Sequence, residues 1–380
     1  LSSCTTFQET SPPPENKSVL NVGSNKLGNS QAKLNVKKSA FASGAGTTDF
    51  IAFDVGQGNC NLLMCSNGDN VMIDCGSSSN YLKTTDAIAK ITTILNKYTV
   101  DAATGKYRFK TVVISHSHKD HFNFFPQLFT SANSEIDNIL IGGARTEYKN
   151  DIGKWLKDME TNGSTIKAFP AGTIVNQVAP TINYGCTKAG APTEGLYIIG
   201  AGYGTATGDE NDRSIVIRAE VGDQSITFMG DASKSVETQI NNFYRTRAIK
   251  GIATTFLVSS HHGSNTANDP VWIRDTDPTA VIFSAGDNKM YGLPRCSVYD
   301  TFEALPGRHI LPASHPFSCY DKQKVKRMWG PKPGTSPTSI NLPVFNTLDV
   351  GTFWNVSAGS GGSSGWLCAD SIEAHCVPIY

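Results

Sequence analysis

Apolar and polar positions divide the chain into a polar lead, a long patterned middle and a short polar tail. Residues 1–46 are rich in Ser, Asn, Lys, Pro and Gly, include Pro12-Pro13-Pro14, and hold few large apolar side chains. So little apolar surface cannot offset the entropy of ordering, and the segment reads as a tether or weakly ordered arm, with the domain opening near Thr47. Three short apolar runs, 50–55, 61–65 and 70–74, follow with Gly56-Gln57-Gly58 and Asn67-Gly68 between them. They are predicted strands, the last two a hairpin. Ile88, Ile91, Leu95 and Tyr98 recur at helical spacing behind Thr84 or Thr85 as cap, which predicts an amphipathic helix. Further strands are predicted over 110–115, 136–141, 196–199, 214–220, 225–230, 256–259, 280–284, 344–348 and 352–356. Helices are predicted over 122–129, 148–159, 232–244 and 298–305. Residues 170–208 are irregular apart from one strand, as in a loop that shapes a substrate mouth. The expected organisation is an arm at 1–46, one domain over 47–356, and a C-terminal loop and tail at 357–380.

The pattern gains chemistry at TVVISHSHKDHF, residues 111–122. A buried apolar strand ends at Ser115 and releases His116, His118, Asp120 and His121. Imidazoles and a carboxylate hold Zn, with Mn or Fe as alternatives. On an extended chain His116 and His118 point the same way, and Asp120 and His121 then turn toward a second position, so the spacing suits two ions better than one. The competing reading is a polar loop with surface histidines. Five of the eight histidines, however, fall in two clusters that each follow an apolar run, which favours a metal site. Asp231 follows a strand and Gly230; it reads either as a carboxylate bridging two metals or as the cap of the helix at 232–244. Asp54 and Asp74 each end an apolar run, where a carboxylate can orient a metal-bound His or cap a turn, and for Asp74 both readings stand.

His116-x-His118-x-Asp120-His121 resembles the signature of the metallo-β-lactamase fold superfamily. Asp54-Val55-Gly56-Gln57-Gly58-Asn59 and Val71-Met72-Ile73-Asp74-Cys75-Gly76 look like its opening strands, most of all in the branch that includes the hydrolase domain of the DNA-uptake channel family (ComEC-like). Asn211-Asp212-Arg213-Ser214-Ile215-Val216, Phe228-Met229-Gly230-Asp231, Ser260-His261-His262-Gly263-Ser264 and, with one change, Tyr291-Gly292-Leu293-Pro294 fit the same branch. The resemblance implies an α/β fold, a four-layer αββα sandwich. It implies metal ligation by His116, His118, Asp120, His121, Asp231 as the bridging carboxylate, and a late His from the His261-His262 pair. Neighbours on an extended chain point opposite ways, so His261 is taken as the ligand, and Asp120 and His262 as the groups that serve water and substrate. The implied activity is metal-dependent hydrolysis of a phosphodiester, as in an extracellular nuclease or phosphodiesterase with DNA as a partner. The alternatives are a phosphocholine esterase, another ester or amide hydrolase including a β-lactamase, and a non-catalytic metal-binding module with a degenerate site. Two departures bear on them: Leu293 stands where the branch has His, and no His lies between His121 and His261.

Composition narrows the setting. The chain has 380 residues, 39% hydrophobic and 17% charged, with Lys+Arg and Asp+Glu both 33. A zero net charge excludes a whole-protein field for nucleic acid but leaves a local cluster of Lys322, Lys324, Lys326, Arg327 and Lys332 around Trp329, read either as a phosphate contact or as a solvated face. No run approaches 18 apolar residues, so no transmembrane helix is expected. Nine cysteines without CxxC spacing indicate an exported, disulfide-bonded protein, and Cys368 and Cys376 lie close enough to pair. Leu1-Ser2-Ser3-Cys4 looks like the end of a lipoprotein signal, which would make Cys4 a membrane tether.

Overall fold

The computed structural model describes residues 48–347 apart from 79–83, 188–189, 192–193, 223, 248–251, 288–289, 306–310, 313–316, 330–338 and 341–343, and then the segments 353–357, 365–369 and 376–379. The expected arm, Cys4 and Lys332 lie outside the described residues. The rest belongs to one compact unit, Ser43–Tyr380.

Strands β1 (Thr48–Ala52), β2 (Cys60–Met64) and β3 (Asn70–Cys75) form an antiparallel meander. Helix α1 (Thr84–Tyr98) leads to β4 (Tyr107–Ile114), α2 (Phe125–Leu128) to β5 (Ser134–Gly142) and α3 (Asn150–Thr161) to β6 (Thr165–Phe169). Each of these strands runs parallel to the one before. A second meander of β7 (Gly195–Gly200), β8 (Val216–Val221) and β9 (Gln224–Phe228) opens another sheet. Past α4 (Lys234–Thr246), β10 (Phe256–Val258) joins β9 in parallel; past α5 (Pro270–Thr276), β11 (Ala280–Phe283) joins β10. Helix α6 (Cys296–Glu303) precedes β12 (Leu311–Pro312), which pairs with β15 (Ser339–Ile340), and β13 (Phe317–Tyr320), which pairs with β14 (Lys326–Trp329). The chain then adds β16 (Val344–Asn346) to the second sheet and returns to the first with β17 (Phe353–Ser357), β18 (Gly365–Ala369) and β19 (Cys376–Ile379). The sheet orders are β19-β18-β17-β1-β2-β3-β4-β5-β6 and β16-β11-β10-β9-β8-β7.

Three separate cores show the layering. Phe50, Leu63, Ile73, Val113 and Leu140 of the first sheet meet Ile198, Ile217, Phe228 and Ile282 of the second. On the outer face of the first sheet, Ile139 and Ile141 lie with Ile91 and Leu95 of α1 and Trp155 and Leu156 of α3. On the outer face of the second, Leu257 and Val281 lie with Val236 and Ile240 of α4, Trp272 of α5 and Phe302 of α6. Side chains alternate between faces, so strands covered on both sides read as unbroken apolar runs. The result is the four-layer αββα sandwich that the resemblance implies.

Local differences have local causes. The helix expected over 122–129 is reduced to a 3-10 turn at Lys119–His121 and the four residues of α2. Pro126 belongs in a first helical turn, which delays the start. Strand β6 escaped the pattern because its residues are exposed or half-buried except Phe169, as befits an edge. Helix α5 is short and rests on its cap, where the Asp269 carboxylate accepts from the Val271 N–H. The tail expected as loop contributes β18 and β19, whose register sets Cys368 opposite Cys376. Among the described residues three disulfides are formed, Cys60–Cys75, Cys65–Cys186 and Cys296–Cys319, as in proteins of oxidising compartments. No helix among the described residues is long and apolar enough to cross a membrane.

Helix α4 buries Glu237, whose oxygens accept from the N–H groups of Asn268 (2.8 Å) and Asp269 (2.7 Å). Burial outweighs these bonds and pushes its pKa from 4.5 up to about 8. A carboxyl that binds its proton more tightly when folded stabilises the fold fully below its unfolded pKa, and that contribution disappears as pH rises through the folded value. Glu237→Gln cannot titrate. The melting-temperature advantage of the native protein over this variant should therefore shrink steadily between pH 5 and pH 8; an advantage that stays constant or grows over that range would contradict the assignment.

Candidate metal centre

Parallel strands place their C-terminal ends on one edge, where open α/β sheets collect their functional loops. Both sheets do this here. Asp74 is the penultimate residue of β3, His116 to His121 follow β4, Asp231 follows β9, His261 and His262 follow β10, and Ser284 follows β11. Two close approaches make the convergence possible. A Cβ at Gly230 would lie 2.6 Å from the Cβ of Ser115, and one at Gly58 would lie 2.2 Å from the carbonyl oxygen of Gly76 and 2.8 Å from that of Asp120. Glycine is the residue that permits such contact, and Gly230 also has φ +55°.

Ser115 is the hub beneath the histidines. Its N–H and its hydroxyl donate to the two oxygens of Asp74 at 2.7 and 2.8 Å. His121 Nδ1 donates to Asp74 Oδ2 at 2.8 Å, and His116 Nδ1 stands 3.1 Å from the Ser115 hydroxyl oxygen. His262 Nδ1 donates to the Ser284 carbonyl at 2.7 Å. Each of these buried rings thus holds Nδ1 on a protein oxygen and turns Nε2 inward. There, His116 Nε2, His121 Nε2, His262 Nε2 and Asp231 Oδ1 are buried without a hydrogen-bond partner. His121 Nε2 comes within 3.2 Å of Asp231 Oδ1, yet out of line for a hydrogen bond. Buried polar atoms are rarely left unsatisfied, and lone pairs of neutral imidazoles and a carboxylate are what Zn and similar ions bind. The donor set therefore fits a metal. Two groups have geometry able to hold one: His116, His121 and Asp231, and Asp120, His121 and His262.

Asp231 divides the site. Its Oδ1 faces His121 (3.2 Å) and His262 (3.7 Å), and its Oδ2 faces His116 (3.7 Å) and His261 (3.8 Å). Asp120 Oδ2 lies 3.4 Å from His262 Nε2 on the Oδ1 side. The charges answer one another. Burial alone would raise both carboxyls, but His121, His262 and His261 hold Asp231 well below the ordinary value, and contact with His262 and the nearby His121 holds Asp120 low. Burial disfavours the charged imidazoles, yet Asp231 and Asp74 raise His121 well above its usual range, and Asp231 and Asp120 raise His262. His116, with burial and His121 against it, stays neutral far below its usual pKa, and burial lowers His261 as well.

All six residues expected as ligands lie in this region, in different states. His116, His121 and Asp231 are buried together, with Asp120 beside His262. His118 is more open, its ring edge-on to His116 at 4.6 Å and its Nε2 3.6 Å from Glu210. The expectation that His261 and His262 point opposite ways fails. Both adopt left-handed backbone (φ +47° and +54°) in a tight turn instead of an extended chain, so both rings face Asp231, and it is His262 that completes the group with Asp120 and His121. Asp231 is not a helix cap, since α4 starts three residues later behind Ser233. Asp74 orients His121, whereas Asp54 accepts from the Gly56 N–H, a turn role. Leu293 is buried and offers no donor. The basic cluster is largely engaged: Lys326 pairs with Asp287, Arg327 with Asp321, and Lys324 donates to the Met290 carbonyl.

Arg213 and Ser214, from a motif that carries the resemblance, support the site together with Glu147 and Asn268, which carry no signal in the sequence. Ser214 accepts from the Asp231 N–H through its hydroxyl, and Arg213 pairs with Glu147, which accepts from Ser117 between the first two histidines. Asn268 donates to the carbonyls of Ser260 and Ser264 and accepts from the Ser259 hydroxyl, which clasps the His261-His262 turn.

No family model matches the sequence, and no curated protein matches it. Among solved structures, a mutant of the CmlA beta-hydroxylase is 12% identical over 66% of this chain and 51% of its own, with a TM-score of 0.37. Tm1679, described as a metal-dependent hydrolase of the beta-lactamase superfamily, is 13% identical over 67% of this chain and 91% of its own, also with a TM-score of 0.37. The chain thus spans about half the length of the first. Similarity this low assigns no activity.

Asp74 fixes the ring orientation of His121, and loss of such a partner typically weakens metal binding about 10–100-fold. Asp74→Asn should show that loss in a chelator competition titration with Zn while its far-UV spectrum stays native. Unchanged affinity would show that His121 needs no such orientation.

Proposed function

We propose that this protein is a metal-dependent hydrolase that cleaves phosphodiesters in an oxidising, extracytoplasmic setting. The observation that carries the reading is the set of buried, unpartnered Nε2 and Oδ1 atoms converging from three strand ends. Divalent ions bound there would supply the acidity that makes water a nucleophile near neutral pH, and positive charge for the phosphoryl oxygens. In this reading Asp231 bridges two positions, one oxygen to each. His121, His262 and Asp120 serve the Oδ1 side; His116, His118 and His261 serve the Oδ2 side. His261 then takes the place that a histidine between His121 and His261 would otherwise fill, so the missing residue does not leave that side short of imidazoles. Asp120, partly exposed and held ionised, orients the attacking water as well as binding. The three disulfides support an exported protein, and the resemblance to the DNA-uptake branch supports a nucleic acid as one substrate.

Purified protein should contain one to two equivalents of Zn, Mn or Fe and hydrolyse bis(p-nitrophenyl) phosphate. Asp120→Asn should lower kcat about a hundredfold or more, the usual scale for losing a positioning or electrostatic group, and His118→Ala should remove at least one equivalent of metal. Absence of metal from unchelated protein would sink the enzyme reading. Cleavage of nitrocefin with none of any diester would replace it with the β-lactamase alternative.

A further inference from the structure

Next to the His261-His262 turn lies a cleft of about 190 Å³ lined by Asn265, Arg295, Ser297, Tyr320, Asp321 and Lys322. That is several times the ~30 Å³ share of one water. It is joined to the candidate centre by backbone: Asn265 closely follows the turn that carries the histidines, and the Arg295 N–H donates to the Gly263 carbonyl at 2.9 Å.

Charge in the cleft is unbalanced. Arg295 and Lys322 are its two cations, and neither makes an ion pair among the described residues. Asp321, the only acid of the lining, is already engaged: its carboxylate takes Arg327 at 2.8 Å and the N–H groups of Gln323 and Val325 at 3.0 and 2.9 Å. Arg295 is held in place by two carbonyls, those of Asp321 (3.2 Å) and Tyr291 (2.9 Å), which fix the guanidinium without neutralising it. Its Nε is buried with no partner. A guanidinium has five N–H donors, so Arg295 keeps donors for a ligand. An arginine held by two carbonyls beside an exposed lysine and a serine hydroxyl is the equipment that recognises phosphate.

We propose that this cleft binds a second phosphate, one that does not react, on a phosphodiester substrate cleaved at the neighbouring centre. The substrate class is then a diester that carries a further phosphate beside the scissile bond. The proposal rests on the phosphodiesterase reading for its consequence but not for its binding event. It also reassigns the basic stretch: Lys326 and Arg327 hold the β13–β14 hairpin through their ion pairs, and Lys322 with Arg295 meets the anion.

The test compares a thymidine dinucleotide with and without a 5′-phosphate, and the trinucleotide, which offers a chain diester in place of a terminal phosphate. Native protein should favour the substrates with the extra phosphate by about tenfold or more in kcat/KM, and Lys322→Glu and Arg295→Gln should each reduce that ratio toward one. Lys154→Glu, on the distant α3, should keep it. In parallel, inorganic phosphate is titrated calorimetrically into native and Lys322→Glu protein, with metal and after chelation. A saturable component that survives chelation and weakens about tenfold or more in Lys322→Glu supports the cleft. If the diesters are cleaved with no preference, or phosphate binding is the same in both proteins, the cleft proposal is overturned. If no diester is cleaved but phosphate binding shows the expected loss, the cleft stands and the phosphodiesterase reading falls.

Discussion

Burying imidazoles and a carboxylate with their lone pairs facing one another is the constraint on which the rest of this structure depends. An unsatisfied buried polar atom costs about 1–3 kcal/mol, and His116, His121, His262 and Asp231 together present four of them. The surrounding protein makes this arrangement tolerable by fixing the opposite side of each ring. Asp74 and Ser115 hold His121 and His116, and the Ser284 carbonyl holds His262. Such fixed rings cannot rotate to satisfy Nε2 elsewhere, so the deficit is of the kind a bound cation would fill. Asp231 lowers the cost, because its charge raises the proton affinity of His121 and His262 around it.

Much of the sandwich serves that edge. Cys60–Cys75 joins the ends of β2 and β3 next to Asp74, and Cys65–Cys186 ties the first sheet to the segment ahead of β7. Cys296–Cys319 joins α6 to β13 beside Arg295. On the other sheet, Glu237 of α4 accepts from the backbone of Asn268, and Asn268 in turn clasps the carbonyls on both sides of His261 and His262. That chain of contacts explains how two adjacent residues persist in left-handed backbone, a conformation costly for any residue with a Cβ. The site is thus held from two sheets at once, and each sheet also brings a carboxylate: Asp74 and Asp120 from the first, Asp231 from the second.

The basic side chains are distributed differently. In the basic stretch near the C-terminal part of the domain, Arg327 pairs with Asp321 of its own hairpin and Lys326 with Asp287 beyond β11. Among the described residues of this region Lys322, Lys324 and Arg295 make no ion pair, and Lys322 and Arg295 are brought to one cleft by the Arg295–Tyr320 bridge and the Tyr320 N–H to Pro294 carbonyl bond. A local charge excess of this kind coexists with a chain of zero net charge, because counter-charges elsewhere do not screen a cleft across a low-dielectric body.

Periodicity by itself determined most elements of the two sheets and their covering helices, though not the exposed edge strand β6 or the terminal strands β18 and β19. Strands such as β4 and β5, apolar on both faces, and helices such as α1 and α4, apolar on one, are encoded in residues a few positions apart, and they appeared where the pattern put them. The chemistry of the centre was legible for the same reason: His116, His118, Asp120 and His121 are neighbours in the chain, and Asp231 and His262 sit at the ends of readable strands. Tertiary structure alone decided the rest. Local alternation set His261 against His262, but the bonds of Asn268 and of the His261 N–H to the Gly230 carbonyl bend that segment into a turn which aims both rings at Asp231. Asp74 could orient a histidine or cap a turn until β3 and β4 paired in parallel and set it beneath Ser115. The pairing of Arg327 with Asp321, the three disulfides and the clasp of Asn268 join residues whose separation carries no periodic signal. Such contacts are fixed by how strands, hairpins and helices meet in three dimensions, and a one-dimensional pattern does not contain them.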